Sequence, residues 1–101
     1  MATKANLHRT TITVPKNSGT QTVTYSSLSM NDGRVYLITA MTASNNAWRY
    51  AGLLFLQSTR TLLVDLATSS YLTAAADSTE LTFTNTSTSY DANVIVQVIG
   101  Y

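Results

Sequence analysis

The amino-acid sequence predicts an all-β fold, an antiparallel β-sandwich or jelly roll of about seven to eight strands, on three observations. The middle of the chain holds three apolar runs, Val35 to Met41, Trp48 to Leu56 and Leu62 to Leu66, each of strand length and bounded by turn-forming residues. Charged residues make up only 11% of the chain, less than half of the roughly 25% usual in soluble proteins, so Thr, Ser and Asn carry much of the polar surface. Those residues favour strands and turns, because Thr is β-branched and Ser and Asn compete with a helix backbone for its hydrogen bonds. Turn signals then recur roughly every eight to twelve residues, the spacing of short sandwich strands.

A chain of 101 residues makes one domain. Residues 1–9 are expected to form a flexible polar N-terminal arm, and residues 10–101 a single sandwich domain. Thr11 to Val14 alternates polar with apolar and reads as a first strand, stopped by Pro15, which has no N–H for a ladder. Asn17-Ser18-Gly19 turns the chain into a second strand, Thr20 to Leu28, with Val23 and Tyr25 set against Thr22 and Thr24. Asn31-Asp32-Gly33 is a tight turn, because Gly takes positive φ freely and Asp tolerates it.

In the first central strand Val35, Leu37, Thr39 and Met41 oppose Tyr36, Ile38 and Ala40. In the second, Trp48, Tyr50, Gly52, Leu54 and Leu56 oppose Arg49, Ala51, Leu53, Phe55 and Gln57. Leu62 to Leu66 makes a third such strand. Thr68 to Ala76 reads as a loop or short edge segment, too short for a free-standing helix. Glu80 to Thr84 alternates Leu81 and Phe83 with polar neighbours, Asn85 to Asp91 reads as a polar hairpin loop, and Ala92 to Tyr101 closes the fold with Val94, Val96 and Val98 against Ile95, Gln97 and Ile99.

A two-layer sandwich needs one apolar face per sheet, yet four of these strands are apolar on both. Leaving some six large side chains in water would forgo on the order of 10 kcal/mol, comparable with the roughly 5 to 15 kcal/mol stability of a whole domain. A homo-oligomer is therefore expected, with Tyr36, Ile38, Leu53, Phe55, Leu63, Ile95 and Ile99 as its candidate interface. The competing expectation is that the arm and the Thr68 to Ala76 segment fold back over the second face of a monomer.

The net charge of +1 and the scattered basic residues supply no phosphate-binding stripe, so no nucleic-acid partner is expected. The chain contains no cysteine and no apolar run of membrane length, and its start lacks a signal-peptide core. A soluble protein made in the cytoplasm and without a membrane partner follows. No glycine-rich phosphate loop, nucleophile elbow or paired zinc-histidine motif occurs, so no enzymatic activity, cofactor or metal is expected. His8 is the sole histidine, and Asp77, Glu80 and Asp91 read as solvated turn carboxylates before they read as calcium ligands. Lys4, His8 and Arg9 give the arm cations that could engage an acidic partner. Asn46, Trp48 and Tyr50 make an aromatic and amide group of the kind that stacks on a sugar ring, set against the plainer reading of Trp48 and Tyr50 as core or interface. Asn85-Thr86-Ser87 matches the glycosylation sequon.

The strand Gly33-Arg34-Val35-Tyr36-Leu37-Ile38-Thr39-Ala40, the strand Leu81-Thr82-Phe83-Thr84-Asn85 with its polar loop, and the closing Asn93-Val94-Ile95-Val96-Gln97-Val98-Ile99-Gly100-Tyr101 give the chain its likeness. In these it resembles small β-sandwich virion proteins of tailed bacteriophages, the head-decoration proteins and the tips of head or tail fibres. The resemblance covers about two thirds of the chain in style of sequence. It implies a structural virion protein that is commonly a trimer: a capsid decoration, or cement, subunit on the outside of the head lattice, contacting the major capsid protein. A short chain starting at Met1 without a fibre shaft or coiled-coil stem favours that role. The alternative is a receptor-binding fibre tip or lectin-like carbohydrate-binding module that recognises a host surface glycan.

Overall fold

In the computed structural model, which describes residues 6–43 and 47–100, eight strands form two antiparallel sheets. They are β1 (Asn6–Val14), β2 (Gly19–Thr24), β3 (Arg34–Thr42), β4 (Arg49–Leu56), β5 (Leu62–Ala67), β6 (Leu72–Ala76), β7 (Glu80–Asn85) and β8 (Ala92–Gly100). One sheet has five strands in the order β1-β8-β3-β4-β5, and the other has three in the order β2-β7-β6. The three-stranded sheet packs on one face of the five-stranded sheet, a β-sandwich-like arrangement with the core between the layers.

The inward residues of each strand are those that alternation predicts. Tyr36, Ile38 and Ala40 of β3, Tyr50 and Leu54 of β4, and Val94, Val96 and Val98 of β8 meet Val23 of β2, Leu81 and Phe83 of β7 and Leu72 of β6. Two tyrosines lie over glycines on this inner face. The Tyr36 ring occupies the space that a β-carbon of Gly100, its cross-strand partner, would need, and the Tyr50 ring does the same over Gly52. Any side chain at either glycine would displace the ring. Both rings use their hydroxyls at the far end: Tyr36 Oη accepts the Asn31 N–H at 2.7 Å, and Tyr50 Oη donates to Asp65 Oδ1 at 2.6 Å.

Several expectations are corrected. The segment expected as a free arm is strand from Asn6 onward: His8 pairs with Val98 and Arg9 with Gln97, because the free edge of β8 offers a full ladder to any extended neighbour. Lys4 lies outside the described residues. The second strand ends at Thr24 and not at Leu28. A single 3₁₀ turn, Ser26–Leu28, closes on Ser29 in the left-handed region (φ 54°), and it buries Tyr25, Leu28 and Met30 beneath the sandwich end. Thr68 to Ala76 contributes β6 as an edge strand of the smaller sheet, so neither it nor residues 6–9 covers a second face.

The stretch Asn85 to Asp91 is not a hairpin loop, since β7 and β8 belong to different sheets and the segment carries the chain between layers. At its start Asn85 is fully buried. Its Nδ2 donates to Val14 O at 3.1 Å and to Tyr90 O at 2.8 Å, and its Oδ1 accepts the Ser87 N–H at 3.0 Å. The sequon asparagine is thereby committed to the interior. Beside it Asn17 N donates to Ser87 O at 2.7 Å and Lys16 N to Asp91 Oδ1 at 3.0 Å, locking the Pro15–Ser18 turn to the same loop. Replacing Asn85 with Ala removes this partner from the buried Val14 carbonyl and Ser87 N–H and from the part-buried Tyr90 carbonyl, and should cost about 2 to 4 kcal/mol. Urea unfolding at neutral pH checks this, with the outward-facing Thr84→Ala as a control expected within about 0.5 kcal/mol of the parent.

Candidate interaction face

The three-stranded sheet covers the inner face of the five-stranded sheet, and among the described residues no layer lies over the outer face. Cross-strand register shows what that outer face carries. Ile99 of β8 stands opposite Leu37 of β3, Leu37 opposite Leu53 of β4, and Leu53 opposite Val64 of β5, an apolar row four strands wide. A second row beside it runs from Val35 through Phe55 to Leu62. Toward the other end Gln97, Thr39 and Ala51 form a small or polar row, followed by Ile95, Met41 and Arg49.

The central members of these rows shield one another and are half-buried, whereas the outer ones are open: Val35 is 47% exposed, Met41 54% and Leu62 54%. β5 is exposed along nearly its whole length. Its pairing with β4 shifts between Ala51 and Gly52, so that Leu66 is the extra residue of a bulge and is 55% exposed. Asp65 on this edge strand is opposite Gly52 on the inward parity and accepts the Tyr50 hydroxyl, an edge charge turned toward its own sheet.

Of the residues expected at an oligomer interface, the structure places Leu53, Phe55, Ile95 and Ile99 together on this outer face. Tyr36 and Ile38 are corrected to the core, and Leu63, opposite Leu54, packs against the core as well. Register is the reason: Tyr36 pairs with Leu54, and Val35 with Phe55, so the face of Tyr36 is the opposite of the face of Phe55. Sequence reasoning missed Val35, Leu37, Leu62 and Val64. Only the lengths of the β3–β4 and β4–β5 turns, which set the register, could have pointed to them.

The sugar-binding group does not assemble as expected. Tyr50 is buried with its hydroxyl taken by Asp65, and Asn46 lies outside the described residues. Trp48 is half-buried against the core, its ring tilted 55° against Tyr71 at a centroid distance of 5.2 Å. Its backbone exchanges bonds with Thr42: Thr42 N donates to Trp48 O at 3.0 Å, and Trp48 N donates to Thr42 Oγ1 at 3.1 Å. These bonds close the β3–β4 connection and make Trp48 a structural residue of that turn.

The turn carboxylates are likewise occupied. Asp77 Oδ1 accepts the N–H groups of Thr79 and Glu80, each at 2.8 Å, which hold its carboxyl below the usual carboxylate range. Asp91 accepts Lys16 N, and Asp32 accepts Ser58 N at 2.6 Å. Among the described residues no three His, Asp or Glu side chains come together as a metal site. A cavity of about 280 Å³ opens at the sandwich end, with Tyr25, Met30 and Leu56 in its wall and Asp32, Ser58 and Thr79 among the polar residues lining it. The Tyr25 hydroxyl donates to Asp77 O at 2.6 Å. Burial, reinforced by the charges of Asp77 and Glu80, pushes Tyr25 up to about 12.

No family model, no curated protein and no solved structure matches the chain.

The Tyr25 environment sets an alkaline limit. A phenol raised from 10.0 to about 12 favours the protonated folded state, so its contribution is complete below pH 10 and is lost as pH rises toward 12. Tyr50 is raised in the same direction, by burial first and then by its bond to Asp65. Urea midpoints measured near pH 9 and near pH 11.5 should therefore fall. The fall should be smaller in the Tyr25→Phe/Tyr50→Phe double variant, which has neither phenol to ionise.

Proposed function

We propose that the protein is a non-enzymatic structural subunit that works by assembly, docking a protein surface on the outer face of its five-stranded sheet. One observation carries this reading: seven apolar residues from four adjacent strands form an uncharged block on that face, with no layer of the described chain over it. Soluble domains rarely leave such a contiguous block in water, because its burial against a partner is favourable at roughly 25 cal/mol per Å². In its particular form, the role is that of a capsid decoration subunit of a tailed bacteriophage, as the resemblance of the sequence implies, with other virion proteins as neighbours.

The strand pairing supports a jelly-roll type of wrapping within this reading. An eight-stranded hairpin folded over on itself pairs β1 with β8, β2 with β7, β3 with β6 and β4 with β5. Three of those four pairings are present, while β3 pairs with β4 and β6 with β7 in place of the fourth.

Density-gradient sedimentation of lysate from the native source tests the assembly role. The chain, of 10.9 kDa, should travel with particles far larger than itself, and Leu53→Glu should return it to the top of the gradient. A parent chain found only at the top would refute the role.

A further inference from the structure

Given the assembly role, the occupant of the outer face remains to be named, and the distribution of charge and area on the sheet names it. The block of Val35, Leu37, Leu53, Phe55, Leu62 and Val64, with Ile99 at its margin, contains no charged residue. Among the described outward-facing residues of the sheet the charged ones are Arg9 and Arg49, both off the block, and none is Asp or Glu. An acidic partner would need cations at the centre of its contact, and here the centre has none. A second copy of the same face matches it instead: like apolar rows meet, and Arg9 and Arg49 remain at the rim in water.

Five strands at ~4.8 Å spacing and about eight residues at ~3.4 Å rise give a whole outer face of roughly 650 Å², so that two copies bury at most about 1,300 Å² when their faces overlap fully, rim rows included, an upper limit that reaches the range of stable interfaces. Two such sheets stack about 10 Å apart with strands near-aligned, as the layers of a sandwich do.

We propose that the outer face pairs with the same face of a second copy of this chain about a two-fold axis, making a four-layer dimer with Leu37 and Leu53 near its centre. This rests on the assembly reading but is narrower than it, since it excludes a three-fold arrangement built on this face. In the dimer the exposed β5 residues Leu62 and Val64 are covered.

The test uses the purified full chain in light scattering across a dilution series from about 200 μM to about 1 μM, beside Leu53→Glu and Val64→Lys. Val64 is already 39% exposed in the single chain, so its replacement tests the interface even where Leu53→Glu fails to fold. The expected mass is twice that of the chain at high concentration, falling by half on dilution, with both variants at the single-chain mass and an unchanged far-ultraviolet spectrum. A parent chain that is monomeric throughout, a three-fold mass, or a folded Val64→Lys of undiminished mass each overturns the pairing. A monomer in solution that still co-sediments with particles overturns the pairing alone, and the assembly role stands.

Discussion

The buried amide of Asn85 is the interaction on which the two-layer arrangement depends. It sits at the end of β7 in the smaller sheet, and it bonds the end of β1 in the larger sheet and the approach to β8. An amide removed from water is tolerated only when its donors and acceptor are met, so the three segments hold their relative positions or all lose their partners together. The Pro15–Ser18 turn closes the same corner through Asn17 and Lys16. Strand ladders hold each sheet; this corner ties one sheet to the other.

From that tie follows an unequal sandwich. Three strands of five or six residues are laid over five strands that run to nine, and β5 at the edge of the larger sheet is exposed at nearly every position. The inner face compensates with bulk, the rings of Tyr36 and Tyr50 lying across glycines to fill what would otherwise be thin places in the sheet. The outer face has no such cover. Its apolar rows are the surface on which the proposed assembly role rests, and the absence of charge from their centre is the feature that favours a like surface in that proposal.

Edge chemistry is consistent with assembly by faces and not by strand addition. β5 ends its regular pairing in a bulge at Leu66, and its single carboxylate, Asp65, is held toward its own sheet by Tyr50. Both devices discourage another strand from joining the edge while leaving the flat apolar rows beside it available. The raised phenols of Tyr25 and Tyr50 belong to this same framework: burial above all makes each resist ionisation, with the charges of Asp77 and Glu80 adding to it at Tyr25 and the bond to Asp65 adding to it at Tyr50.

Alternation along each strand made much of this legible from sequence. Val94, Val96 and Val98, or Leu81 and Phe83, announce their common face because side chains in a strand point to opposite sides with a period of two. The excess of apolar faces was legible for the same reason. What alternation could not supply was the relation between strands. Tyr36 and Phe55 were placed together although the register sets them on opposite faces, and Leu37 and Val64 were passed over for the same cause. Sheet membership was equally hidden: residues 6–9 gain a ladder only because β8 leaves an edge free, and Asn85 is buried only because β7 and β8 part into different layers. The sequence by itself determined strands, faces and the surplus of apolar surface, since these depend on local geometry. Tertiary structure alone decided which faces coincide, because register and layering are set by contacts between residues far apart in the chain.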